Sequence, residues 1–127
     1  MLSLEWGKFK DDVEKGLVQL WSLSWVGFKD PNIYNYTFAS KNFPPNGGNR
    51  GRYKNSRLDG LLEQGETIID KAQRKRLYDQ VQEIVAEDLP YVFLWHEDLV
   101  AVYSKRVKDF TLFADGRMQG LGKARKE

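Results

Sequence analysis

The sequence predicts an α/β fold on three observations. Leu17 to Trp25 is a dense apolar run of strand length that follows Gly16. The stretch from Asp70 to Val85 carries a capping pair and an apolar stripe at helical spacing. Two further apolar runs, Tyr91 to Trp95 and Leu99 to Tyr103, follow a helix-ending Asp88-Leu89-Pro90. With 127 residues, 41% hydrophobic and 13% aromatic, the chain is long and apolar enough for one globular unit.

Taken in order, Leu2 to Trp6 alternates apolar and polar residues as a short strand would. Lys8 to Lys15 places Phe9 and Val13 on one helical face, and Gly16 supplies the stop. The Leu17 run then reads as a buried strand, so strand, helix and strand suggest a parallel βαβ start with a right-handed crossover. Gly27 and Asp30-Pro31 break that strand into a loop bearing Trp25, Phe28, Tyr34 and Tyr36.

Asn42 to Arg57 gathers paired prolines, glycines and asparagines, and predicts a long surface loop with several residues at positive φ. Ser56 is positioned to cap a short helix through Leu62, with Gly65 near its end. Asp70 and Gln73 form a capping box for the clearest helix, whose stripe of Leu77, Val81, Ile84 and Val85 is expected to pack on the sheet. The two apolar runs after Pro90, separated by His96-Glu97-Asp98, predict two strands or one bent strand. The tail closes with a turn at Asp115-Gly116 and a polar end expected to fray.

Composition excludes several functions. Twenty basic and 18 acidic residues leave a formal charge of +2, too balanced to steer toward nucleic acid or an anionic membrane, although the pI is near 8.8. No cysteine means no disulfide or thiolate chemistry, which suits a reducing compartment or an exported protein without bridges. The first residues show neither a signal peptide nor a membrane span, so if the protein is exported its signal is expected outside this chain. One histidine and scattered carboxylates are too few ligands for a metal site, and no cofactor is expected.

His96 has no serine or acid spaced to work with it, so a histidine at a strand end is the plainer reading than a general base. Arg50, Arg52, Lys54 and Arg57 around Tyr53 are better explained as a polar loop with a buried tyrosine anchor than as a nucleic-acid patch. The glycines of this loop lack the lysine-serine ending of a phosphate loop. Aromatic residues crowd the span from Trp21 to Phe43. An apolar, concave surface with few polar groups is what small-ligand sites offer, which favours the point where the strand becomes loop at Trp25.

The order Trp25, Asp30-Pro31, Asn49-x-x-x-Tyr53-x-Asn55, Leu58-Asp59-x-Leu61-Leu62, Arg74, Leu77-Tyr78 and Glu87-Asp88-x-Pro90 resembles the C-terminal portion of family 5 extracellular solute-binding proteins. These are the peptide and nickel type that serve ABC importers. The resemblance runs from about Leu4 to Phe110. It implies a partial lobe of a two-lobed, class II-like periplasmic binding protein. Residues 1–95 would form part of the C-terminal lobe, and residues 96–127 the hinge crossing and return toward an absent first lobe, with the hinge near Leu94 to Asp98.

The resemblance also implies a small solute, peptide-like or apolar and aromatic, an ABC permease as partner, and a periplasmic or extracellular location. Trp25 matches a cleft-wall tryptophan. Where peptide binders carry an amine-holding aspartate this chain has Phe28, which cannot pair a cation as a carboxylate does. Asp30 is the nearest carboxylate, at a turn position. The expected ligand contacts are Trp25, Val26, Gly27, Phe28 and Asp30, with Leu94, Trp95 and His96 on a second wall. No catalysis is expected. Two other readings remain: an interaction module that self-associates through Tyr91 to Tyr103, and a carboxylate hydrolase, which would need two carboxylates in one pocket with one raised pKa.

Overall fold

A computed structural model describes residues 4–96 and 98–127. Its elements are mostly helical: α1 (Trp6–Lys15), α2 (Ile33–Phe38), α3 (Ser56–Thr67) and α4 (Lys71–Asp88), followed by two short strands, β1 (Val107–Lys108) and β2 (Arg125–Lys126). Two compact units divide the described residues. One comprises those up to Leu23 with Asp30–Val92, and the other Ser24–Lys29 with Phe93–Glu127.

In the helical unit, α1 starts two residues before its apolar spacing indicates, because the Glu5 side chain accepts from the Lys8 N–H at 3.2 Å. Gly16 ends it as expected. The cap of α3 is Asn55, which accepts from the Leu58 N–H at 3.1 Å, so Ser56 is the first helical residue rather than the cap. This helix continues past Leu62 to Thr67. Gly65 marks a close approach instead of a stop: a Cβ there would lie 2.9 Å from the Tyr78 hydroxyl.

Asp70 caps α4 through the Gln73 N–H at 2.7 Å, and Leu77, Val81, Ile84 and Val85 are buried along with Tyr78. This stripe packs on α3, in a core to which α2 contributes Phe38, and not on a sheet. Leu58, Leu62 and Val81 are fully buried in that core. Asn49 joins the loop before α3 to it: its amide donates to the carbonyls of Phe38, Ala39 and Tyr53, and its oxygen accepts from the Tyr53 N–H at 3.0 Å. The loop is therefore anchored rather than superficial, and within it Arg52 alone is recorded at positive φ.

Several expected elements differ. Tyr34 and Tyr36 lie on α2, not in a loop. Asp30 and Pro31 make the turn that leads into that helix, the Asp30 carboxylate accepting from the Asn32 N–H at 2.8 Å. The βαβ start is not formed among the described residues. Residues 17–25 form no strand and bend at Gln19-Leu20, and Leu17 and Leu20 are exposed. Leu2 and Ser3 of the first expected strand lie outside the described residues, and Trp6 belongs to α1.

No strand forms at Tyr91 to Trp95 or at Leu99 to Tyr103 among the described residues, and Glu97 between them lies outside those residues. A strand's backbone groups are satisfied only by a neighbouring strand, and apolar density cannot supply one. The sheet that does form is β1 with β2, antiparallel, with Val107 opposite Lys126 and Lys108 opposite Arg125. The C-terminus expected to fray is thus held by pairing, and the Glu127 N–H donates to the Arg106 carbonyl at 2.8 Å.

Candidate functional site

The turn after Trp25 belongs to the second unit, and there it walls a cavity of about 580 Å³. Val26, Gly27 and Lys29 form one side, and Leu99 with Asp115 to Gln119 forms the other. Gly27, at φ 84°, makes the reversal. Trp25 and Phe28 meet edge to face across it, ring centroids 5.9 Å apart, so the two rings brace the turn.

The opposite wall is held by equally specific contacts. Gly120 sits so close to Thr111 that a Cβ would fall 1.8 Å from the Thr111 carbonyl oxygen, which fixes the short turn beginning at Met118. Lys29 forms an ion pair with Asp115. Asp115 also accepts from the Arg117 N–H at 3.3 Å and lies 3.5 Å from Arg117 Nε. The Arg117 guanidinium stacks over the Phe113 ring at 4.0 Å. Lys29 first, then the Arg117 N–H and charge, hold the Asp115 carboxyl below the usual carboxylate range.

Of the residues the sequence singles out, Val26 and Gly27 line this cavity and Trp25 and Phe28 flank it through the turn. Asp30 is engaged elsewhere. Its two oxygens accept from the Arg74 guanidinium at 2.6 and 2.8 Å, and this pair with the Asn32 N–H pulls its carboxyl down to about 2. Arg74 in turn donates from Nε to the Gly65 carbonyl at 3.1 Å and lies 5.0 Å over the Tyr78 ring. Leu94, Trp95 and His96 are exposed.

Leu99, Asp115, Arg117, Met118 and Gln119 were not legible as site residues. Their only local signal is the Asp115-Gly116 turn, which says nothing about what lies opposite it.

A smaller cavity of about 260 Å³ in the helical unit is lined by Asn35, Ser40, Lys41, Asp59 and Glu63, among others. Its polar groups serve the fold: Asp59 accepts from the Ser40 N–H at 2.8 Å, and Asn35 donates to Glu66 at 2.6 Å. The basic loop is likewise structural. Tyr53 hydrogen-bonds Asp88, Arg52 donates to the Glu14 carbonyl at 2.8 Å, and Lys54 lies 5.4 Å over Phe43. Among the described residues no group of three metal-type ligands comes together, and Glu5, Asp30, Asp88 and Asp115 are all shifted to lower pKa, the opposite of a poised general acid.

No protein-family model matches the chain. The chain is similar to the probable D,D-dipeptide-binding periplasmic protein DdpA of Escherichia coli (strain K12), 38% identical over 105 residues that cover 80% of this chain and 20% of that protein. It is also similar to the glutathione-binding protein GsiB of Escherichia coli (strain K12), 36% identical over 78 residues, or 61% of this chain and 15% of that protein. GsiB of Shigella flexneri matches to the same degree. The chain thus spans about a fifth or less of the length of the curated relatives it matches.

Proposed function

The chain carries sequence of the family 5 periplasmic binding proteins of ABC importers, and from that premise we propose that it is part of a solute receptor that binds a small peptide-like molecule and delivers it to a permease. In this reading it is a stretch of the C-terminal lobe, acting on the periplasmic side of the membrane, and it performs no catalysis. The solute class follows the dipeptide and glutathione binding of the named relatives. No helix among the described residues is long and apolar enough to cross a membrane.

The cavity walled by the Trp25 turn is the observation that carries the reading. A concave surface with Val26, Leu99 and Met118 as apolar lining and a few charged groups at fixed positions suits a small amphiphilic ligand. Phe28 stands at the amine-holding position of the family, and Asp30 is closed by Arg74, so this turn holds its ligand by ring faces and backbone rather than by a carboxylate on a free amine.

The exposed residues Val92, Trp95, Val100 and Val102 complete the picture. Dense apolar side chains left exposed are what a lobe presents when the surfaces that cover them belong to the rest of a longer protein. The same surface favours self-association as the second reading.

The test is calorimetry on the complete protein with a panel of dipeptides and glutathione. Trp25→Ala is expected to weaken binding about tenfold or more while leaving the melting temperature unchanged. Equal affinities in the two proteins would remove Trp25 from the site. Absence of binding to every member of the panel, with concentration-dependent dimerisation instead, would favour the second reading.

A further inference from the structure

We infer that Arg117 receives a carboxylate of the bound solute in the cavity walled by the Trp25 turn, an inference that rests on the solute-binding reading. The charged side chains lining that cavity are Lys29, Arg117 and Asp115, two cations against one carboxylate, so the lining carries a net positive charge. The Lys29 ammonium is closed on Asp115. Arg117 meets Asp115 only along its Nε edge, at 3.5 Å, and its terminal amino groups make no hydrogen bond among the described residues.

That leaves a planar fork whose geometry matches a carboxylate in bidentate pairing. The fork is also held in place before any ligand arrives. Phe113 stacks on one face at 4.0 Å, and Asp115 holds the inner edge, so little side-chain freedom remains to be lost on binding. Gln119 supplies a neutral amide beside it, and Val26, Leu99 and Met118 cover the apolar remainder of a small molecule. A basic fork in the lining of a largely apolar cavity selects solutes with an anionic group over neutral ones of equal size.

The carboxylate comes from a peptide's C-terminus or from an acidic side chain, and three probes separate the sources. Alanyl-alanine has only the terminal acid, alanyl-alanine amide has neither, and alanyl-glutamate C-terminal amide has only the side-chain acid. Calorimetry on the complete protein is expected to show one of the acid-bearing probes bound about tenfold or more tightly than alanyl-alanine amide, and the preferred probe identifies the source. Arg117→Gln is expected to abolish that preference at an unchanged melting temperature, and Arg117→Lys to restore part of it. Equal binding of all three probes by the wild type, or a preference that survives Arg117→Gln, would overturn the inference while leaving the receptor reading standing. Failure of the wild type to bind these probes, any other dipeptide or glutathione would remove both.

Discussion

Leu62 and Val102 both sit in apolar runs, yet Leu62 is fully buried and Val102 is 95% exposed. The contrast extends to their surroundings. Around Leu62, α2, α3 and α4 enclose a continuous core, with capped helix ends and the buried Asn49 amide satisfying the backbone where the chain turns. Around Val102 the chain forms neither helix nor strand, and Val92, Leu94, Trp95 and Val100 also face solvent. A helix satisfies its backbone internally and needs only a surface to cover its stripe, whereas a strand needs another strand for each of its edges. The helical unit can finish itself from local sequence, and the extended segments cannot.

The largest effect expected from this contrast is at Leu62. Leu62→Ala should cost about 2–5 kcal/mol, because the removed atoms leave a cavity that helices fixed at both ends cannot close. Denaturant unfolding followed by helix circular dichroism checks it. A loss below about 1 kcal/mol would mean that the helical core is as loosely organised as the extended segments, and the comparison would fail.

The same contrast explains what the sequence made legible. Asp70 with Gln73 and the stripe from Leu77 to Val85 are local signals, and α4 has the cap and buried face they indicate. The helix through Leu62 continues past Gly65, whose role as a close approach is not local because its packing partner, Tyr78, lies on another helix. Gly27 and Asp30-Pro31 signal a break into loop, and the same Asp30-Pro31 turn leads into α2, whose six residues carry no local cap signal. Leu17 to Trp25 and Tyr91 to Tyr103 announce burial by composition without naming a partner strand, and no partner is found among the described residues. At the site, the Trp25 turn was legible from its Gly27 break. The opposite wall was not, because nothing in the local pattern of Asp115 to Gln119 points back to residues so distant in the chain.

A smaller effect is expected where Asp30 is tied to the helices by Arg74. The folded Asp30 carboxyl is drawn from 3.8 to about 2, so it contributes stability that is fully present above about pH 4 and is lost as the pH falls toward 2. Its side chain is 58% exposed, and solvent screening holds the contribution below about 1 kcal/mol. Asp30→Asn should therefore be slightly less stable than the wild type at pH 7, with the difference fading as the pH approaches 2. A difference that persists undiminished at pH 2 would show that the loss does not come from the Asp30–Arg74 charge pair.

The smallest effect is expected at Val102, where the comparison is most exposed to refutation. Val102→Ser removes apolar surface that is already in water, so in this chain it should change the unfolding free energy by no more than about 0.5 kcal/mol. A hydroxyl there also has water to bond with, which removes the penalty it would meet in a core. The measurement is the same denaturant titration used for Leu62→Ala, and the ratio of the two effects is the informative quantity. A loss above about 1 kcal/mol would mean that Val102 is covered in the folded chain after all, and that the segment around it completes a core of its own instead of leaving its apolar side chains in water.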